Sequence, residues 1–185
     1  MKRPIVKYGA PVLRAKGRPV TTVNEHIRTL ASDMLETMHA ANGVGLAAQQ
    51  VGEALQLTVL DVSEVEDRPS TLKLGGVEVD PRVAMPLVLL NPELSLHGET
   101  LPGTEGCLSF PEITAEIDRA FSVIVKAESL DGEVLEIEAS GLLARALQHE
   151  VDHLNGILFI DRMSSVAKAS LSSRLKRLQK ETQRA

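Results

Sequence analysis

The segment Gly141-Leu142-Leu143-Ala144-Arg145-Ala146-Leu147-Gln148-His149-Glu150-Val151-Asp152-His153-Leu154 has the periodicity of a helix. Ser140 is placed to cap its start, and Asn155-Gly156 to end it. Leu143, Ala146, Leu147 and Leu154 spread apolar surface over much of the circumference, so other elements must enclose this helix. His149 and His153 stand one turn apart. Four residues rotate a helix by about 400°, so both imidazoles leave nearly the same face and can meet at one metal ion. Glu150 points about 100° away, towards a water activated there rather than towards the ion itself. The alternative is a surface helix that carries two histidines by chance, in a chain with five histidines in all.

Outward from this helix, the chain reads as strands with a helix at either end. Asn24 to Asn42 predicts a helix: Ile27, Leu30, Met34, Leu35 and Met38 recur at three- and four-residue spacing, Asn24 can cap it, and Asn42-Gly43 stops it. Leu55 to Val62 predicts a strand, as do Leu87 to Leu90 and Leu94 to Glu99. Phe121 to Ala127 and Glu133 to Ala139 flank Asp131-Gly132 as a hairpin. The polar excursion from Glu64 to Pro86 holds a smaller hairpin about Gly75-Gly76, with no evident purpose. A last helix is expected from about Ser164 to Gln179, with Val166, Leu171, Leu175 and Leu178 inward. The expected fold class is α+β: antiparallel strands packed around a central metal-binding helix, with an N-terminal and a C-terminal helix.

Composition narrows the function. The 185 residues fit one domain. Tyr8, Phe110, Phe121 and Phe159 are the only aromatic rings, too few to stack single-stranded nucleic acid. No apolar run approaches the roughly 18 residues of a membrane span, and Met1-Lys2-Arg3-Pro4 opens no signal peptide. A single cysteine, Cys107, forbids an internal disulfide and suits a reducing cytoplasm, the expected location. Net charge is −5, but residues 164–185 carry a local +5. The expected organisation is therefore an acidic body, 1–163, and a basic C-terminal helix, 164–185, within the same domain.

A hydrolytic metal needs a third protein ligand and an open position. A third histidine six residues after the second would fall at 159, which is Phe159. A downstream glutamate would have to be Glu181, in the basic tail. His97 remains available. Cys107 is the better candidate, because Glu105-Gly106-Cys107-Leu108-Ser109-Phe110-Pro111 reads as an exposed bend bracketed by glycine and proline. A thiolate and two neutral imidazoles leave one corner free for water.

Three segments taken together resemble the signature motifs of peptide deformylases. They are Gly43-Val44-Gly45-Leu46-Ala47-Ala48-Gln49-Gln50, Glu105-Gly106-Cys107-Leu108-Ser109 and Gln148-His149-Glu150-Val151-Asp152-His153. The resemblance runs from about Pro11 through Ser164, so residues 1–163 read as a deformylase-like catalytic body. It implies hydrolysis of the formyl group from N-formyl-methionyl nascent peptides. It also implies Cys107, His149 and His153 as metal ligands, Glu150 as proton carrier, and Gln50 with the backbone N–H of Leu108 as donors to the oxyanion. The implied ion is ferrous iron in the cell, with zinc, nickel or cobalt accepted by purified protein. The same likeness puts Gly43, Val44, Gly45, Gly106, Leu142, Arg145 and Ala146 at the substrate, with Arg119 positioning the peptide backbone. Arg145 would pack its stem there and keep its head wet.

Each assignment has a plainer rival. Gln50 can cap a turn, Leu142 can be core, and Arg119 can be a solvated hairpin arginine. The basic helix, with Arg174, Lys176, Arg177 and Lys180, is either a solvated amphipathic helix or a dock onto ribosomal RNA. Two other functions compete: a general endopeptidase with the same His-Glu-x-x-His logic, and a module that metal merely folds. The second would need a fourth protein ligand.

Overall fold

In the computed structural model, which describes residues 1–185, the elements are α1 (Glu25–Ala40), β1 (Gly45–Ala47), β2 (Leu57–Leu60), β3 (Ser70–Leu74), β4 (Val77–Val79), α2 (Pro81–Ala84), β5 (Leu87–Cys107), β6 (Phe110–Glu128), β7 (Val134–Gly141), α3 (Leu142–Leu154) and α4 (Ser165–Arg184). Short 3-10 turns lie at Pro11–Arg14, Ala48–Val51 and Phe159–Arg162. One antiparallel sheet has the strand order β1-β2-β5-β6-β7-β3-β4. The α+β class with antiparallel strands and terminal helices is the architecture observed.

α3 is buried at every position except Val151. Its Leu143 and Leu147 are fully enclosed by Leu60, Val123, Val125 and Ile137 from the sheet. Truncating either leucine to alanine would cost about 2–5 kcal/mol. α1 buries Ile27, Leu30, Met34 and Met38 against β1 and β2, and the Asn24 side chain accepts from Ile27 N at 3.0 Å. α4 packs Leu175, Leu171 and Leu178 beside Leu13, Phe110 and Phe159. Arg174 of α4 also donates to the carbonyl of Glu112 at 2.6 Å.

Several expectations are corrected. Leu87–Leu90 and Leu94–Glu99 belong to one strand, β5, whose register against β6 slips between Leu90 and Glu93 and between His97 and Thr100. Asn91 (φ 50°) and Gly98 (φ 75°) lie at these slips in left-handed conformations, and such bulges erase the two-residue alternation that reveals a strand. β6 begins at Phe110 rather than Phe121, and β2 spans only Leu57–Leu60. Val166 is 79% exposed, because the first turn of α4 faces the core with Ala167 instead, and the helix runs on to Arg184. Glu105–Pro111 is no exposed bend: Glu105, Ser109 and Phe110 are buried where β5 turns into β6.

Ser140 does not cap α3; its hydroxyl pairs with Thr71 across the sheet. The cap comes from the excursion instead. The carbonyl of Pro69 accepts from Leu142 N at 3.2 Å, and the Ser70 hydroxyl from Leu143 N at 2.9 Å. Gly141, at φ 71°, allows this approach, since a Cβ there would stand 2.2 Å from the Pro69 oxygen. At the far end, Leu154 O accepts from Gly17 N and from the Gln49 and Gln56 side chains. Both ends of α3 are thus tied by distant parts of the chain, which fixes the helix along its axis.

Candidate metal centre

The turn from β5 into β6 brings Cys107 over α3. The ligating atoms of Cys107, His149 and His153 lie within 4.8 Å of one another. Cys107 Sγ is 3.4 Å from His153 Nε2, and the two imidazole rings are 5.0 Å apart at 65°. His149 donates from Nδ1 to the Glu105 carboxylate at 2.9 Å. That bond fixes its tautomer and turns Nε2 towards the cluster. His97, the other candidate, lies outside it.

The cluster suits a divalent ion by two observations. Its donors are one sulfur and two imidazoles, a set that accepts zinc and ferrous iron and leaves a position free. Next to it, two buried polar atoms have no hydrogen-bond partner: Nδ1 of His153 and Oε2 of Glu150. A buried carboxylate oxygen with no partner in the chain is suited to a proton from a guest molecule.

Electrostatics agree with these roles. Burial raises the Glu150 carboxyl to about 7, although the His149 charge opposes it. Burial also holds His153 well below the usual imidazole range, helped by the charges of His149 and Arg119, so it is neutral. For His149, burial lowers the value, but hydrogen bonds to Cys107 and Glu105 raise it more. Burial would raise Glu105, yet the bonds from His149 and Arg119 bring it down to about 2.

Behind the cluster lies a buried charge network. Glu105 accepts from Arg119 Nε and Nη2 and from Arg145 Nη1, each at 2.9 Å. Arg119 also reaches Asp152 at 2.7 Å, and Arg162 closes the chain onto Asp152 at 2.9 Å. Two expectations change here. Arg119 is 5% exposed, does not line the cleft and bonds to Glu105, the same carboxylate that accepts from His149. The Arg145 head is not wet: it is tied to Glu105, Ile117 O and Leu101 O, because the carboxylate and two carbonyls replace its water. Glu105 and Asp152 were visible only as motif members, because their partners come from other elements.

A cleft of about 540 Å³ opens onto the cluster. Of the expected substrate residues, Gly43, Val44, Gly45, Gly106, Leu142, Arg145 and Ala146 line it, together with Gln50 and Leu108. Gln50 Oε1 accepts from Ala47 N at 2.9 Å, which aims its amide nitrogen at Ser109 Oγ (3.2 Å) and Cys107 Sγ (3.6 Å). So Gln50 does cap its turn, and the bond that does so directs the amide group at the cluster. Gly45 is required by proximity: a Cβ there would stand 2.5 Å from Glu150 Oε1. Lys7, which sequence reasoning passed over, also lines the cleft and donates to Leu108 O at 3.2 Å.

The chain has relatives along almost its whole length. The family model described as polypeptide deformylase matches residues 2–169. A peptide deformylase of Acidobacterium capsulatum is 42% identical over 180 residues, 97% of each chain. Among solved structures, the peptide deformylase of Thermus thermophilus superposes with a TM-score of 0.82 at 37% identity, covering 98% of this chain and 99% of that one. That of Legionella pneumophila gives 0.81 at 36%, covering 100% and 99%.

Proposed function

The chain belongs to the peptide deformylase family, and on that premise we propose that it hydrolyses the formyl group from N-formyl-methionyl nascent peptides, releasing formate. The observation that carries this reading is the convergence of Cys107, His149 and His153 beside the bare Oε2 of Glu150 at the floor of a peptide-sized cleft. The three side chains would hold one divalent ion, ferrous iron in the cell, with zinc, nickel or cobalt as substitutes. When bound, the ion supplies Lewis-acid chemistry, lowering the pKa of water and polarising a carbonyl.

The protein's own groups do the rest. Glu150 takes a proton from the attacking water as the new C–O bond forms, and gives one to the methionine nitrogen as the C–N bond breaks. A carboxyl held near neutrality by burial can serve in both directions. The Gln50 amide and the backbone N–H of Leu108 donate to the oxygen that becomes negative. Gly43, Gly45 and Gly106 let the peptide backbone come close, while Val44, Leu142, Ala146 and the stem of Arg145 receive the methionine side chain. Arg119 and Glu105 orient His149 from behind.

No helix is long and apolar enough to cross a membrane. A cytoplasmic site of action suits the lone thiol and the nascent-chain substrate. Residues 164–185 would form part of the same domain as 1–163, through the contacts of Leu175 and Arg174. The basic face of α4 would meet ribosomal RNA. The decisive experiment compares formate release from formyl-Met-Ala-Ser by wild type and Glu150→Gln, with bound metal measured in both. Loss of at least roughly a hundredfold in rate with metal retained is expected. Equal rates, or faster cleavage of an internal peptide bond, would refute the reading.

A further inference from the structure

The excursion that caps α3 also delivers a cation to the cleft. Arg68 immediately precedes Pro69 and Ser70, whose carbonyl and hydroxyl bind the first N–H groups of α3, so its backbone is anchored rather than free. The next residues enter β3, paired with β7 from Ser70↔Gly141 onward. Arg68 itself is exposed, lines the cleft and forms no ion pair or hydrogen bond with the rest of the chain.

Its surroundings make that cation unusual. Residues 1–163 hold 24 carboxylates against 14 lysines and arginines, an acidic background. In the cleft the balance reverses. Glu105 and Arg145 are buried against each other and Glu150 is buried at the floor, which leaves Lys7, Arg68 and Glu112 at the mouth. Lys7 keeps its charge and is held by one hydrogen bond to the Leu108 carbonyl. Arg68 is the cation there with no hydrogen-bond or ion-pair partner in the chain, in a concave site where field lines concentrate.

Arg68 also marks a junction. A second hollow of about 580 Å³ adjoins the cleft, and the two share Arg68, Thr104, Leu142 and Arg145. Leu101, Pro102 and Phe121 floor the second hollow with apolar surface, and Asp67 and Glu116 add carboxylates to its wall. A peptide seated by its first residue near Leu142 would carry its following residues past this seam.

We propose that Arg68 is a specificity-determining residue that favours an acidic side chain at the second or third position of the substrate peptide and disfavours a basic one. This rests on the deformylase reading and adds to it a preference beyond the leading methionine. A guanidinium and a carboxylate at a half-exposed mouth should change rates roughly two- to fivefold, less at high salt.

The test measures kcat/KM for formate release by metal-loaded enzyme from formyl-Met-Ala-Ser-Ala and from its variants with Glu or Lys at position two or three. The wild type should prefer Glu to Lys at one of those positions. Arg68→Ala should bring the ratio to about one, and Arg68→Glu should invert it. A wild-type ratio of one at both positions, or a preference that survives in Arg68→Ala, overturns the proposal. Failure to release formate from any of these peptides would instead refute the deformylase reading. In that event, dissociation constants of the unformylated Glu and Lys peptides still decide whether Arg68 pairs with a carboxylate.

Discussion

Replacing Glu105 by glutamine keeps the shape of the side chain and removes its charge, so it isolates what that charge does. The carboxylate is 6% exposed and accepts four hydrogen bonds, two from Arg119, one from Arg145 and one from His149. Glutamine offers one oxygen and turns an NH2 group against donors. Arg119 retains Asp152 as a partner, but Arg145 is left with only the neutral carbonyls of Leu101 and Ile117. Stranding a buried charge in this way costs about 3–5 kcal/mol. At about 2–4 °C per kcal/mol for a domain of this size, the midpoint of thermal unfolding should fall by about 6–20 °C. Urea unfolding of metal-free protein is the cleaner assay, because ligation no longer adds to the stability of the folded form. Arg119→Met supplies the internal control. It leaves Glu105 with Arg145 and His149, and Asp152 with Arg162, so it should cost less than Glu105→Gln. A loss below about 1 kcal/mol for Glu105→Gln, or the reverse order of the two variants, would refute the view of Glu105 as the hub.

Three further outcomes are expected. Gly45→Ala places a methyl group 2.5 Å from Glu150 Oε1, so formate release should fall roughly a hundredfold while bound metal is retained; an unchanged rate would show that Glu150 need not hold its place. Stripping the metal should abolish formate release and lower the unfolding midpoint, by about 4 kcal/mol of linkage where free ion had stood at a thousand times its Kd. A chelated protein, metal-free by elemental assay, that melts and turns over as before would remove Cys107, His149 and His153 as ligands. Asp161 loses part of its hydration on burial, but the Arg14 guanidinium and Leu158 N–H hold its carboxyl below the usual carboxylate range. A depressed folded value contributes stability above the unfolded value of about 4, and that stability fades as pH falls through the folded one. Asp161→Asn should therefore cost roughly 0.5–1 kcal/mol at pH 7, after solvent screening, and less at pH 3; equal costs by urea midpoint at both pH values would contradict this.

The parts of this molecule that could be read in advance are those whose cause is local. The spacing of His149 and His153 follows from helical rotation alone, and the cap of Asn24 on Ile27 spans three residues. The Gly75-Gly76 hairpin was legible for the same reason, since Leu72–Leu74 and Val77–Val79 pair directly across it. That Cys107 would come to lie beside two histidines more than forty residues away was reached by setting other ligands aside and by the likeness of three motifs, and the exposed bend that also favoured it is not what the fold shows. No local rule connects a turn between strands to a helix.

What stayed hidden is of one kind: a group whose function is set by a partner far along the chain. Ser140 looks like a cap because it precedes a helix, yet the hydrogen-bond acceptors at that helix start are Pro69 and Ser70, about seventy residues earlier. Arg145 looks like a pocket stem with a wet head until Leu101, Ile117 and Glu105 close around its guanidinium. The excursion from Glu64 to Pro86 showed its hairpin but gave no signal of purpose, because Arg68, Pro69 and Ser70 act on the cleft and on α3, far along the chain. This has a consequence for function. The elements that clamp α3 at Pro69, Ser70, Gln49 and Gln56 hold the histidine spacing still, and a metal site tolerates little error in that spacing. The helix supplies two of the ligands, but its register against Cys107 is set by the segments at its two ends, so rigidity of the site depends on contacts that, Gln49 apart, lie outside the three motifs.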